Sequence, residues 1–165
     1  MKKIALAATI FALSASSAFA QASSTTTGSA NATVVKPISV THDSGAALNF
    51  GAFTVGTAAG TVTVSPAGAR SVSGGATAIN SSTTSADSFT VSGDASRAFN
   101  ITVPATATVA SGADTIAFVP AVASSSGTLS AAGAASFTVG GTLNTLGTET
   151  AGNYTGSYNV TVSYN

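Results

Sequence analysis

From Ala32 to the C-terminus the chain is a succession of short stretches in which apolar and polar residues alternate. Most are closed off by a glycine- or proline-bearing turn. This pattern constrains the fold most, because only an extended strand sends successive side chains to opposite faces. The cleanest example is the ending. Tyr154, Gly156, Tyr158, Val160, Val162 and Tyr164 occupy one phase, and Thr155, Ser157, Asn159, Thr161, Ser163 and Asn165 the other. A strand over Tyr154–Tyr164 therefore has one face for burial and one for water. Further strands are predicted at Ala32–Val35, Ile38–His42, Leu48–Val55, Thr61–Ser65, Ser71–Ser73 with Ala76–Ile79, and Ser88–Ser92. Others follow at Ala98–Val103, Thr115–Val119 and Ala135–Val139. Turns are expected at Pro66-Ala67-Gly68, Gly74-Gly75, Gly93-Asp94, Ser111-Gly112, Ser126-Gly127 and Gly140-Gly141. Glycine reaches positive φ and aspartate bonds its own backbone, so both turn a chain. No stretch after residue 20 carries a 3.6-residue period. The expected fold is an all-β, immunoglobulin-like antiparallel β-sandwich.

The phenylalanines fit that expectation. Phe50, Phe53, Phe89, Phe99, Phe118 and Phe137 fall at about one per strand. Most have an apolar neighbour two residues away, as Phe89 has Val91 and Phe99 has Ile101. Such pairs line the inner faces of two packed sheets.

The beginning of the chain reads differently. Lys2 and Lys3, the apolar run from Ile4 to Leu13 and the small-x-small site Ala18-Phe19-Ala20 have the layout of a secretory signal peptide, with Gln21 as the first mature residue. The apolar run is too short for a stable membrane span. The expected organisation is a signal peptide over 1–20, a flexible N-terminal extension over 21–30 and one sandwich domain over 31–165. The mature chain is expected to be soluble and exported. That route permits disulfides, yet the chain has no cysteine, so core burial and strand pairing hold the fold.

Charge excludes several partners. Charged residues make up 6% of the chain, against about 25% in ordinary soluble domains. Past residue 21 the cations are Lys36, Arg70 and Arg97, and the carboxylates are Asp43, Asp87, Asp94, Asp114 and Glu149, a formal net charge of −2. No basic patch exists to neutralise phosphates, which argues against nucleic acid. No stable membrane insertion is expected. The low charge also weakens the usual defence against self-association.

Catalytic and metal chemistry is thin. The one histidine, His42, sits beside Asp43 in a polar stretch and reads as a solvent-facing turn. No Gly-x-Ser-x-Gly elbow occurs. Asp87, Asp94 and Asp114 read as turn aspartates, or as carboxylates that meet at one end of a sandwich to bind calcium; there is no EF-hand loop. The chain is read as non-enzymatic, with no catalytic, cofactor-binding or metal residues and no cofactor.

Unpaired sheet edges invite another strand, and soluble monomers blunt them with lysine, proline or inward charge. The terminal strand has no charged residue. Burying its Tyr154, Tyr158, Val160, Val162 and Tyr164 fully is worth on the order of 10 kcal/mol. That rivals the stability of a whole domain.

Several stretches resemble a family of exported bacterial proteins described as a domain of unknown function. They are Ala32-Thr33-Val34-Val35-Lys36-Pro37-Ile38-Ser39-Val40, Leu48-Asn49-Phe50-Gly51, Gly60 to Arg70, Ala151-Gly152-Asn153-Tyr154-Thr155-Gly156 and the Val160-Thr161-Val162-Ser163-Tyr164-Asn165 ending. More distantly, the ending is similar to subunits of chaperone–usher fimbriae, which close with an alternating strand, a penultimate aromatic and a glycine some fourteen residues from the end. Here Tyr164 is penultimate and Gly152 is fourteenth from the end. The resemblance implies an assembly strand formed by Gly152, Tyr154, Tyr158, Val160, Val162 and Tyr164. A periplasmic chaperone would hold it first, and fimbrial subunits would then associate by strand addition. It implies a donor role for Ala22–Val35, whose best alternating set is Ala30, Ala32 and Val34. The chain departs from those pilins in lacking a disulfide and in the small volume of its donor side chains. The expected function is thus an exported surface-structural subunit, pilin-like and self-associating. The alternative is a secreted, adhesin-like β-sandwich module that binds a glycan or a protein.

Overall fold

The computed structural model describes residues 22–165. The predicted signal peptide and its cleavage residues Ala18, Ala20 and Gln21 lie outside the described residues. The chain divides into two units, Met1–Thr33 and Val34–Asn165. In the first, residues 22–33 carry neither strand nor helix, and all are exposed. The strand expected at Ala32–Val35 does not form. Ala32 offers almost no apolar surface to bury, and Val34 is 96% exposed.

The second unit holds ten strands, and no helix occurs among the described residues. They are β1 (Ser39–His42), β2 (Phe53–Val64), β3 (Arg70–Ala78), β4 (Asp87–Ser92), β5 (Ala98–Thr102), β6 (Ala107–Ser111), β7 (Asp114–Val122), β8 (Ser126–Thr128), β9 (Ala134–Thr145) and β10 (Thr161–Tyr164). Every pairing is antiparallel. Seven strands form one sheet in the order β1-β4-β9-β2-β3, with β7 on β9 and β6 beyond it. The other three form the sheet β10-β5-β8. The expected antiparallel β-sandwich is what this sequence builds.

β9 is the hub of the larger sheet. Val139 pairs with Asp87 of β4 and with Val122 of β7, and Gly141 pairs with Val64 of β2 and Pro120 of β7. So β4 and β2 follow one another along one side of β9, while β7 runs along the other. The turn expected at Gly140-Gly141 is instead the middle of this strand. Its glycine serves space rather than a turn: a Cβ at Gly140 would run into the Val64 carbonyl and the Ser65–Pro66 peptide. Gly74-Gly75 lies inside β3 for a similar reason. It faces the irregular stretch of β2 between Val55 and Gly60, and a Cβ on Gly75 would strike the Ala58 carbonyl. Ser126-Gly127 likewise belongs to β8, where the Phe99 ring leaves no room for a Cβ on Gly127. The turns expected at Pro66-Ala67-Gly68 and Ser111-Gly112 do form, the first closed by the Gly68 amide on the Ser65 carbonyl at 2.8 Å.

Two apolar cores result. One lies between the sheets: Val91, Phe99, Ile101 and Leu129 are buried there, with Phe137, Val160, Val162 and Tyr164 packed against them. The other lies on β2, β3, β7 and β9 and buries Val62, Val64, Ile116, Phe118 and Leu143. Its cover includes no residue of the three-stranded sheet. Phe50, with Leu48, Tyr154 and Tyr158 from irregular segments, covers it instead, beside Phe53 at the start of β2.

Candidate functional site

The terminal segment crosses both cores. Tyr154 and Tyr158 pack on the second, and Val160, Val162 and Tyr164 on the first. The alternation read in the sequence holds in burial: these five side chains are half-buried and the odd-numbered residues between them are exposed. The single strand expected over Tyr154–Tyr164 does not hold. Thr155 makes an isolated bridge to Ala110 of β6 in the larger sheet, and only Thr161–Tyr164 pairs with β5 in the smaller one. A chain that leaves one sheet for the other cannot keep one ladder throughout. Among the described residues, no hydrogen bond reaches the main chain of Gly156 through Val160. β10 is an edge strand of its sheet. Gly152 is exposed, with Ser111 where a Cβ would sit, and Gly156 passes against the Thr108 carbonyl.

Tyr164 fixes the far end. Its hydroxyl donates to the Lys36 carbonyl at 2.7 Å and accepts from the Asp94 amide at 2.6 Å. Arg97, ion-paired with Asp94 at 2.8 Å, lies 5.8 Å from the centre of the Tyr164 ring. The predicted donor residues Ala30, Ala32 and Val34 are all exposed and belong to no strand.

Beside the unpaired main chain runs a groove of about 1260 Å³. Its walls are residues 46–55 and 149–158, and Phe89, Ile116, Phe118 and Leu143 of the larger sheet are part of its lining. The wall at 50–52 is braced from behind. The Arg70 guanidinium donates to the carbonyls of Phe50, Ala52 and Ile79 and to the Ser82 hydroxyl, at 3.0–3.4 Å.

A buried carboxylate is part of this groove's lining. Asp87 is 5% exposed. Its Oδ1 is 2.6 Å from His42 Nε2 and accepts the Ser88 amide at 2.9 Å, and its Oδ2 accepts the Tyr158 hydroxyl at 2.8 Å. Burial, reinforced by that hydrogen bond and by the negative charge of Asp87, pushes the Tyr158 phenol far above its ordinary range. The ring of Tyr158 meets Phe89 and Phe118 edge-on at 6.4 and 5.9 Å, and Phe89 stacks on Phe137 at 5.4 Å. His42 is therefore the last residue of a strand with a carboxylate partner, not a solvent-facing turn. Its neighbour Asp43 accepts the hydroxyls of Ser88 at 2.5 Å and Thr90 at 2.8 Å, which hold its carboxyl below the ordinary value. At the other wall, burial disfavours the charged form of Glu149, but the amides of Leu146, Gly147 and Thr148 outweigh it and keep the carboxyl below its ordinary value.

The aspartates weighed as a calcium site have separate partners. Asp87 binds His42 and Tyr158, Asp94 binds Arg97, and Asp114 accepts the Thr150 hydroxyl. No group of three or more metal-ligating side chains occurs among the described residues. The Asp87–Tyr158 contact was missed in the sequence, though a signal was present: Asp87 shares the inward phase of Phe89 and Val91.

Two antiparallel sheets, a second core roofed by irregular segments and a half-covered terminal segment define the class: an all-β sandwich with an incomplete cover. The chain belongs to the family of the domain of unknown function DUF4402, which matches residues 38–164. No curated protein and no solved structure matches it.

Proposed function

We propose that the protein is an exported, non-enzymatic, pilin-like structural subunit, assembled when a neighbouring chain adds a strand along its terminal segment. One observation carries this reading: the main chain of Gly156–Val160 has no hydrogen-bond partner, and its Gly156–Tyr158 part lines a groove with an aromatic and aliphatic wall. Unpaired N–H and C=O groups beside apolar pockets are what strand addition uses, the ladder giving affinity and the pockets specificity. The half-buried Tyr158 and Val160 would lose their remaining exposure in the same step, which supplies a hydrophobic driving force. A periplasmic chaperone holding this segment would protect it before assembly at the cell surface or in a fimbria. The extension containing Ala30, Ala32 and Val34 is exposed and free of strands, as a donor must be. Its small side chains would fill the groove only in part.

The test is to purify the protein with and without residues 21–35 and follow both by size exclusion and negative-stain microscopy. The full mature chain is expected to form oligomers or filaments, and the shortened chain to stay monomeric. Monomers in both cases, with no filaments on the producing cells, would overturn the proposal. The aromatic lining of the groove favours one second reading, an adhesin-like module that takes a glycan or a protein segment there. A monomer that binds on a glycan array and never assembles would replace the first reading with the second.

A further inference from the structure

The groove has a charge preference as well as a shape. Its lining includes two carboxylates, Asp87 and Glu149, and no lysine or arginine. Arg70 lies behind the wall with its guanidinium committed to carbonyls. Asp87 has already lost its water on folding, with 5% of its surface left. A carboxylate offers about four acceptor positions. Three are taken, by His42, the Ser88 amide and the Tyr158 hydroxyl. His42 stands beside Asp87 with half its side chain exposed, so the groove is open to solvent there.

We propose that the strand taken up along Gly156–Val160 is an alternating apolar segment bearing one cationic side chain, seated against Asp87. The inference rests on the strand-addition reading and specifies the incoming strand's chemistry: Ala30, Ala32 and Val34 of the proposed donor carry no charge, and Lys36, next in the same alternating phase, supplies the cation. Tyr158 reaches Asp87 from the terminal segment itself. A strand paired beside that segment projects side chains onto the same face, and a long one spans to the diagonal neighbour. Lysine or arginine has the required length. A cation meeting a carboxylate that is already desolvated repays its own loss of water better than it would against an exposed partner.

The test uses three acetylated, amidated seven-residue peptides of alternating valine and threonine, with lysine, norleucine or glutamate at the centre. Their binding to the intact mature chain is followed by fluorescence polarisation. The lysine peptide is expected to bind at least tenfold more tightly than the norleucine peptide, and the glutamate peptide most weakly. In Asp87→Asn the lysine advantage is expected to vanish. If that variant does not fold, the comparison of the three peptides on the unaltered chain decides. Norleucine binding as tightly as lysine would overturn this inference and leave strand addition standing. Binding by none of the three would overturn both.

Discussion

Asp87 is the residue on which the second core's cover depends. It joins β4, through its own position, to His42 of β1 and to Tyr158 of the terminal segment. A buried acceptor that loses its donor costs more than the bond itself, because the acceptor stays desolvated. Tyr158→Phe is therefore expected to destabilise the protein by about 1–3 kcal/mol in urea unfolding. The pH dependence follows from the raised Tyr158 phenol. Its folded-state value lies above the ordinary 10.0, so the folded protein holds that proton while the unfolded chain releases it. The stabilisation is complete below pH 10 and is lost as pH climbs toward the folded-state value. Stability should fall above about pH 10, and tyrosinate absorbance from Tyr158 should rise only as the protein unfolds. Tyr158→Phe should lack that step. Early ionisation in the native protein would contradict the buried hydrogen bond. In the sequence Tyr158 was legible as an inward tyrosine, whereas Asp87 read as a turn aspartate just before the strand that in fact includes it. Their meeting was not legible, because seventy-one positions separate them and only the fold joins them.

Strands with bulky alternating side chains were legible, and strands built on small ones were not. Phe89-Thr90-Val91 and Phe99-Asn100-Ile101 announce β4 and β5. β6, Ala107–Ser111, was missed because valine at 109 is its only bulky residue. β8 was missed because Ser126-Gly127 looks like a turn. Glycine pairs misled most where they serve close approach instead of a bend. Gly140 is the sharpest case, since β9 runs straight through it against the end of β2. Gly140→Val is expected to force that junction apart and to cost about 1–3 kcal/mol as overpacking, seen as a lower urea midpoint with an unchanged slope. A variant as stable as the parent would show that the backbones are not in contact there. The terminal segment failed as one strand for a different reason. Its alternation fixes which side chains point inward, but nothing in the sequence marks the change of sheet between Thr155 and Thr161.

At the scale of the molecule, the ten strands of the described residues fold into a sandwich whose smaller sheet leaves the second core to largely irregular cover. The low charge and the uncharged terminal segment leave little electrostatic defence against the strand addition proposed above. Amide hydrogen exchange tests this account most directly. In the isolated mature chain, the amides of Gly156–Val160 should exchange nearly as fast as in an unstructured peptide, while those of β4, β9 and β5 are protected. On assembly, or with a bound strand peptide, alternate amides of Gly156–Val160 should become protected. Protection of that stretch already in the isolated chain, or none after assembly, would contradict strand addition at the terminal segment.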